Sequence, residues 1–310
     1  MTNPWHTQPT GTEGGNSSTA TALLNIMPTA RELACKQTLS WLEDLRPDAA
    51  QNAVPLRPLF VGVCGPPGKE ERALKGAEQR PDPAKKERGN ELFKYRGNPG
   101  THDVDLALRT LDSLADANLT APRDADVTVR IPRYDKSLHG GRGDRLPFEQ
   151  WDEVKSPFHV VLLEGWCVEF ESVTDLQLEA LLDAAAHDDN SHADCQPAIS
   201  SLRSYPRHHV EKLNRSMLVY KPLWARLDTL IHLHTHSLDN VYEWRLEQER
   251  ATREKYGSGM NDEEVRDFVD RFMPAHAIGL PPLLKQTRRA GRMMRIAISK
   301  ERRVVDSSIS

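Results

Sequence analysis

Length, composition and charge restrict the class of protein. The chain has 310 residues, of which 38% are hydrophobic and 28% charged, and its formal net charge is -4. It can bury one substantial core, and its charge gives no case for DNA or RNA as the main partner. The sequence contains no run of about 18 apolar residues, so no membrane span is predicted. The four cysteines form no Cys-x-x-Cys pair, which argues against a zinc site or a disulfide framework. We expect a cytoplasmic protein that binds neither nucleic acid nor a membrane.

The N-terminal part of the chain differs from its centre. Residues 1–20 are rich in Thr, Ser, Gly and Asn and contain neither Lys nor Arg, so we expect a disordered start without a secretory signal. Apolar residues spaced among polar ones over residues 21–54 predict one or two short amphipathic helices on the domain edge. The main domain is expected over residues 55–300, with a polar tail over residues 301–310.

A short apolar run leads into a glycine-rich turn. Leu59–Cys64 predicts a buried strand, and in nucleotide kinases such a strand enters Gly-x-x-x-x-Gly-Lys-Ser/Thr, which holds phosphates and magnesium. Here two residues, instead of four, separate Gly65 from Gly68, Lys69 follows, and Glu70 stands in place of the hydroxyl residue. A defective phosphate loop and an ordinary turn are both open interpretations.

The next stretch is polar. Residues 69–92 carry few apolar side chains, whereas a helix that follows a phosphate loop must bury one face against its sheet. We therefore expect a mobile polar segment there.

Asn-Pro-Gly then predicts a turn within residues 95–103. Thr101 or Asp103 is expected to cap a helix that starts at Val104 and runs to Ala115. Arg96 and His102 flank the turn and can contact an anion, with capping or solvation as the alternative for each.

A loop rich in charge follows a strand predicted over Val127–Ile131. Residues 131–145 combine five cationic side chains, counting His139, with two aspartates and three glycines. Because this loop has almost no apolar side chain to bury, it favours recognition of an anion. The alternative is a solvated basic loop.

Phe158–Leu163 predicts a fully buried parallel strand. Glu164 at its end can hold magnesium through water or orient a nucleophile, while a capping or salt-bridged carboxylate is the alternative. Residues 184–209 are rich in His, Asp, Ser and Asn, and the irregular spacing of the histidines favours a polar surface insertion over a metal site.

The C-terminal third alternates between helices and strands. Helices are expected over Leu213–Trp224, over Asn240–Lys255 and after Asn261 or Asp262, which serves as the cap. Leu227–His234 predicts the last or penultimate strand, and Met294–Ile298 a final short strand. This alternation predicts a doubly wound α/β fold.

Several segments resemble the D-glycerate 3-kinase family of plants and fungi, which belongs to the P-loop kinases related to uridine kinase and pantothenate kinase. They are Arg-Gly-Asn-Pro-Gly-Thr-His-Asp at 96–103, Pro-Arg-Tyr-Asp-Lys-Ser at 132–137 with Gly-Gly-Arg-Gly-Asp-Arg at 140–145, Leu-Glu-Gly-Trp at 163–166, Tyr-Glu-Trp-Arg-Leu-Glu at 242–247 and Gly-Met-Asn-Asp-Glu-Glu-Val at 259–265.

The resemblance implies a P-loop kinase-like three-layer α/β/α fold with a mostly parallel sheet, here lacking the usual second strand and P-loop helix. It implies transfer of the γ-phosphoryl group of ATP, with Mg²⁺, to a hydroxyl of D-glycerate or a similar small hydroxy acid. The implied catalytic residues are Glu164, Lys69 and Asp135, with Glu164 also the metal ligand. The implied nucleotide-binding residues are Gly65, Gly68, Lys69 and Arg245. The implied substrate-binding residues are Arg96, His102, Asp103, Arg133, Tyr134, Lys136, Arg142 and Arg145.

The chain departs from the family pattern in its phosphate loop. The complete Gly-x-x-x-x-Gly-Lys-Ser/Thr and the Asp-Asp-Phe-Tyr strand with its aspartate are missing, either by loss of an internal segment from the gene model or by natural decay. Two hypotheses follow, an impaired kinase and a catalytically inactive homologue that acts as a binding or regulatory protein.

Overall fold

The computed structural model describes residues 28–46, 57–65, 89–120, 126–135, 138–141, 143–187, 196–257, 259–286 and 289–310. The helices in these ranges are α1 Pro28–Leu45, α2 Val104–Thr120, α3 Leu138–Gly141, α4 Asp175–His187, α5 Gln196–Ser201, α6 Arg207–Met217, α7 Lys221–Trp224, α8 Asp239–Tyr256, α9 Asp262–Asp270 and α10 Met273–Lys285. The strands are β1 Leu59–Cys64, β2 Thr128–Ile131, β3 Tyr134–Asp135, β4 Asp144–Arg145, β5 Asp152–Lys155, β6 Val160–Gly165, β7 Thr229–His234, β8 Met293–Ile298 and β9 Val304–Ile309. Among the described helices, none combines the length and the apolar character needed to cross a membrane.

The central sheet has the order β6-β1-β7-β8-β9, in which the first four strands are parallel and β9 is antiparallel to β8. Every residue of β1 is buried, as predicted. Leu59 and Val61 face a layer that includes α1 and α8, whereas Phe60 and Cys64 face the larger core on the other side. The predicted three-layer α/β/α fold with a mostly parallel sheet is confirmed.

Two small antiparallel ribbons lie outside this sheet. β2 pairs with β5, and β3 pairs with β4 in a hairpin that places Tyr134 opposite Arg145. The strand predicted over Val127–Ile131 therefore exists, and it delivers its loop into the β3–β4 hairpin.

The prediction of a fully buried strand over Phe158–Leu163 is wrong in its burial. β6 starts at Val160, and Leu162 is 36% exposed. β6 is partly exposed because it is an edge strand. Within the described ranges it pairs with β1 on one side and with no strand on the other.

The predicted surface loop over residues 184–209 is also wrong where it is described. Residues 196–201 form α5, a 3-10 turn follows over 202–204, and α6 begins at Arg207. Ala198, Ile199 and Leu202 are buried, so a few apolar residues anchor this polar sequence to the core. Residues 188–195 and the start over residues 1–20, predicted as disordered, lie outside the described ranges. Of the polar segment predicted over residues 69–92, residues 69–88 also lie outside them, whereas Leu92 is buried in a 3-10 helix over Glu91–Phe93, which corrects the prediction there.

The C-terminal predictions hold with some changes. In place of the one helix predicted over Leu213–Trp224, the chain forms α6, a 3-10 turn over Leu218–Tyr220 and α7. α8 ends at Gly257 in the left-handed region (φ +70°), and Asn261 caps α9 in a capping box with Glu264, as expected. However, residues 304–309, predicted as part of a polar tail, form β9, so that β7 is third from last among the described strands of the sheet rather than last or penultimate.

Candidate active site

The turn over residues 97–103 is held in place by the buried side-chain amide of Asn98. Asn98 is 1% exposed, and its Nδ2 donates to the carbonyl oxygens of Leu92 and Arg271, each at 2.8 Å. Thr101 Oγ1 accepts the N–H of Gly97 and donates to the Asn98 carbonyl, both at 2.8 Å. Thr101 therefore closes the turn and is not the helix cap, for which it was one of the two predicted candidates.

Glycines give the turn its shape. Gly97 and Gly100 have φ values of +118° and +104°, which side chains rarely adopt. A Cβ at Gly100 would lie 2.9 Å from Ser216 Cβ on α6. The turn therefore packs against α6 at a distance that glycine alone permits.

Trp166 joins this turn to the ends of the two parallel strands. Its Nε1 donates to the Gly97 carbonyl at 3.0 Å, and its own carbonyl accepts from Cys64 Sγ at the end of β1 at 3.4 Å. Its ring stacks on His276 at 4.9 Å between centroids. Glu164 lies two residues before Trp166, half-buried at the carboxyl end of β6. The turn and the carboxyl ends of β1 and β6 thus form one corner of the molecule, the usual position of binding sites in open parallel sheets.

An ion pair attaches the β3–β4 hairpin to this corner. Asp103 Oδ1 accepts the N–H of Leu106 at 3.0 Å and caps α2, as predicted, while Asp103 Oδ2 pairs with Arg145 Nη2 at 3.0 Å. The side chains of Arg145 and Asp103 are 26% and 20% exposed. Two of the predicted substrate residues are therefore brought together, with one carboxylate orienting one guanidinium.

A second pair from the predicted set also meets. The Arg96 guanidinium lies 5.4 Å from the ring centroid of Tyr134. Tyr134 covers Gly143, where a Cβ would lie 2.3 Å from the ring, so glycine is required for this close approach. Asp135 lies opposite Asp144 in the hairpin, and Asp144 pairs with His139 at 3.0 Å.

The remaining predicted residues make other contacts or lie outside the described ranges. Arg133 is exposed and lies 3.8 Å from Asp152. Arg245, on α8, lies over the ring of Phe268 at 4.8 Å and pairs with Glu249. Gly65 directly follows the last residue of β1, and a Cβ at this position would lie 3.3 Å from Leu233 Cβ. The predicted residues outside the described ranges are Gly68, Lys69, Lys136 and Arg142.

Tyr220, which was not predicted as a site residue, supports the turn through its hydroxyl group. Its hydroxyl oxygen accepts the Gly100 N–H at 2.8 Å and lies 2.7 Å from His102 Nδ1. Burial lowers the pKa of His102 to about 4, and burial raises the pKa of Tyr220 above its ordinary value. Both groups are therefore neutral near pH 7. The partners are 118 residues apart in the chain, and no local pattern marks such a pair.

The donors at this corner suit a magnesium ion better than a softer metal. Within the described ranges no group of three His, Cys, Asp or Glu residues can hold a metal by protein ligands alone. Glu164 supplies a carboxylate at a strand end, and Mg²⁺ in phosphate-binding sites typically uses one or two carboxylates plus waters and phosphate oxygens. The residues present therefore fit a Mg²⁺ ion that arrives with a phosphate ligand.

Comparison with known proteins gives a consistent picture. No family model matches the chain. It is 34% identical to the chloroplastic D-glycerate 3-kinase of Arabidopsis thaliana over 208 residues, which make up 67% of this chain and 39% of that protein. It is 32% identical over 197 residues to the probable ATP-dependent kinase TDA10 of Saccharomyces cerevisiae, with 62% of this chain and 58% of that protein covered. The chain thus spans less than two thirds of the length of either relative.

The fold agrees with a solved structure. D-glycerate 3-kinase from Cryptococcus neoformans superposes with a TM-score of 0.75 at 26% identity, and the match covers 91% of this chain and 99% of that one. The predicted resemblance is confirmed, because the relatives of this chain are named D-glycerate 3-kinase and related kinases and its fold matches that of a D-glycerate 3-kinase.

Proposed function

We propose that this chain is a kinase that transfers the γ-phosphoryl group of ATP to a hydroxyl of D-glycerate or a similar small hydroxy acid. The names of its relatives support ATP and a D-glycerate-like acceptor. The observation that carries the proposal is the Asp103–Arg145 pair, which fastens the hairpin to the turn beside the ends of β1 and β6.

Arg145 is the residue best placed to hold the carboxylate of the acid. A guanidinium presents five N–H donors in a planar fork that matches a carboxylate, and it remains charged at any physiological pH. Asp103 orients it from one side, and a quarter of the side chain is exposed. The same hairpin contains Tyr134 and Asp135, and Arg96 lies over the ring of Tyr134. We assign these three residues to the hydroxyl groups and remaining charge of the substrate. Arg133, Lys136 and Arg142 add positive charge from the same stretch of sequence.

Glu164 is assigned to the phosphate side. When bound, MgATP supplies the phosphoryl group, and the metal neutralises the developing charge on its oxygens. At the carboxyl end of β6, Glu164 can hold a water of the metal or orient the acceptor hydroxyl. Gly65, Gly68 and Lys69 are assigned to the phosphates, and Arg245 to the same end of the nucleotide.

The second candidate function is an acid-binding protein without phosphoryl transfer. The sequence favours it at one point, since Gly65-Pro-Pro-Gly-Lys-Glu70 has a short spacing between its glycines and a carboxylate in place of the hydroxyl. Such a protein would keep the hairpin and the turn and lose affinity for MgATP.

The deciding experiment measures ADP release by the purified chain with MgATP, with and without D-glycerate. Glycerate-dependent release is the result expected of a kinase. A rise of Tm with D-glycerate, no rise with MgATP and no ADP release would establish the second candidate instead. No response to either ligand would contradict both. Arg145→Ala should weaken the response to D-glycerate. Its matched control is Arg226→Ala, because Arg226 pairs with Asp112 of α2 at 2.8 Å, as Arg145 pairs with Asp103, the cap of that helix, at 3.0 Å.

A further inference from the structure

Tyr220 stands in a position that constrains one histidine of the proposed site. It ends the 3-10 turn after α6 and is 1% exposed, and its ring stacks on Trp224 with 5.6 Å between centroids. The His102 ring meets it edge-on at 5.8 Å. The hydroxyl is therefore held in place by packing on the ring as well as by its hydrogen bonds.

The protons around this hydroxyl can be assigned by counting donors. The Gly100 N–H points at the oxygen at 2.8 Å, so the oxygen accepts there. A phenol has one proton to donate, and within the described ranges His102 Nδ1, at 2.7 Å, is the acceptor that the structure offers to it. Nδ1 then carries no proton. A neutral imidazole with an accepting Nδ1 has its proton on Nε2.

We infer that Tyr220 is a positioning residue that holds His102 in its Nε2–H tautomer, so that the ring offers a neutral N–H donor to an oxygen of the hydroxy acid. His102 directly precedes Asp103, which holds Arg145, so the donor and the guanidinium are presented by neighbouring residues. The role toward the acid rests on the proposed function, whereas the tautomer does not.

Charge near the pair is compatible with a neutral ring. Cys167 is a further titratable group that acts on Tyr220, and it adds to the raised pKa of the phenol. Asp103 is engaged by Arg145 and by the start of α2. A protonated His102 would instead turn a second N–H toward the Tyr220 oxygen, which already receives the Gly100 N–H.

The tautomer is tested by NMR on protein labelled with ¹⁵N-histidine, with His102 assigned through His102→Gln. We expect an acceptor-type Nδ1 and a protonated Nε2 at pH 7. In Tyr220→Phe, which keeps the ring stacked on Trp224, the Nδ1 shift should move toward that of a mixture of tautomers. A protonated Nδ1 in the unsubstituted protein would overturn the inference.

The positioning role is tested by kinetics on the same variants. Tyr220→Phe should raise the KM for D-glycerate about 10-fold, with kcat and the KM for MgATP changed less than about threefold. The matched control is Tyr205→Phe, at the opposite end of α6, where burial raises the phenol pKa to about 12. It should leave all three constants and the His102 shifts unchanged.

The outcomes separate this inference from the proposed function. Turnover with an unchanged KM in Tyr220→Phe would overturn the positioning role and leave the kinase assignment standing. Absence of turnover in the unsubstituted protein would overturn the kinase assignment. D-glycerate should then still shift the His102 Nε2 signal if the ring is a donor to the acid, and an unshifted signal would overturn the inference as well.

Discussion

The two sides of the proposed site are built in different ways. On the acceptor side, hydrogen bonds to Asn98 and Tyr220 hold the turn, and the Asp103–Arg145 ion pair joins the turn to the hairpin. On the nucleotide side, the described residues are Gly65 and Glu164, at the ends of β1 and β6, and Arg245 on α8. The acceptor side also keeps the long family motifs, whereas the phosphate loop departs from its pattern.

Because of this difference, the fold supports a binding role for the acceptor side more directly than for the nucleotide side. The acceptor side has the contacts that hold charged groups in one geometry before a ligand arrives, and such preorganisation favours binding. The nucleotide side depends on Lys69 and on the changed spacing of its glycines. Acid binding and phosphoryl transfer can therefore be separated experimentally.

The largest effect is expected at Glu164. Glu164→Gln keeps the size of the side chain and removes its charge, so kcat should fall about 100-fold or more. Binding of D-glycerate, measured by calorimetry, should change little. An unchanged kcat would show that the end of β6 takes no part in the reaction.

Arg145→Ala should act on the other side of the site. Loss of a charge-assisted pair with the acid should weaken D-glycerate binding by about 10- to 100-fold, and Arg145→Lys by less because Lys lacks the planar fork. Affinity for MgATP should not change. Equal losses in Arg145→Ala and in Arg226→Ala would point to a general effect on α2 and contradict the assignment.

Gly100→Ala tests how tightly the turn is packed. The positive φ and the contact with Ser216 should together reduce the free energy of unfolding by about 2 to 3 kcal/mol. Gly257 also has a positive φ, but an added Cβ there has no neighbour within 4 Å, so Gly257→Ala should cost about 1 kcal/mol. Chemical denaturation of both variants checks the difference, and equal losses would refute the packing argument.

A further effect concerns pH. Burial lowers the pKa of His276, which stacks on Trp166, to about 4. In the unfolded chain His binds its proton below about pH 6.5. The free energy of unfolding should therefore fall as the pH drops from 6.5 to 4, by up to about 1.4 kcal/mol per pH unit for this group.

His276→Phe should reduce that slope. The Nδ1 atom of His276 lies 3.1 Å from the carbonyl oxygen four residues earlier. The matched control is His187→Phe, because His187 Nδ1 makes the same kind of contact at 2.8 Å but the residue is exposed. Unfolding curves at several pH values between 4 and 7 give the slopes. A slope that is unaltered in His276→Phe would contradict this account.

Much of the fold follows from local patterns in the sequence. β1 is predicted from its continuous apolar run, α8 from its terminating glycine, and α9 from Asn261 with Glu264 three residues later. Each of these signals depends on residues that are neighbours in the chain. For this reason no tertiary information was needed to place these elements.

The missed elements depend on distant contacts. α5 is polar in composition, and Ala198 and Ile199 are enough to bury one side of it. β9 has a weak apolar pattern and forms because β8 offers a free edge to pair with. In the site, the motif residues Asp103 and Arg145 were predicted singly. Their pairing, and the part played by Tyr220, result from chain segments that only the folded sheet brings together.

The hydrogen bonds of Asn98 limit how this site can be transferred to other proteins. One of its amide donors reaches Arg271, 173 residues further along the chain. Residues 96–103 copied into another α/β scaffold would carry the motif sequence but would lack the Arg271 carbonyl that fixes the side chain of Asn98. The smallest unit that can be transferred with its shape intact therefore includes the segment around Arg271, between α9 and α10.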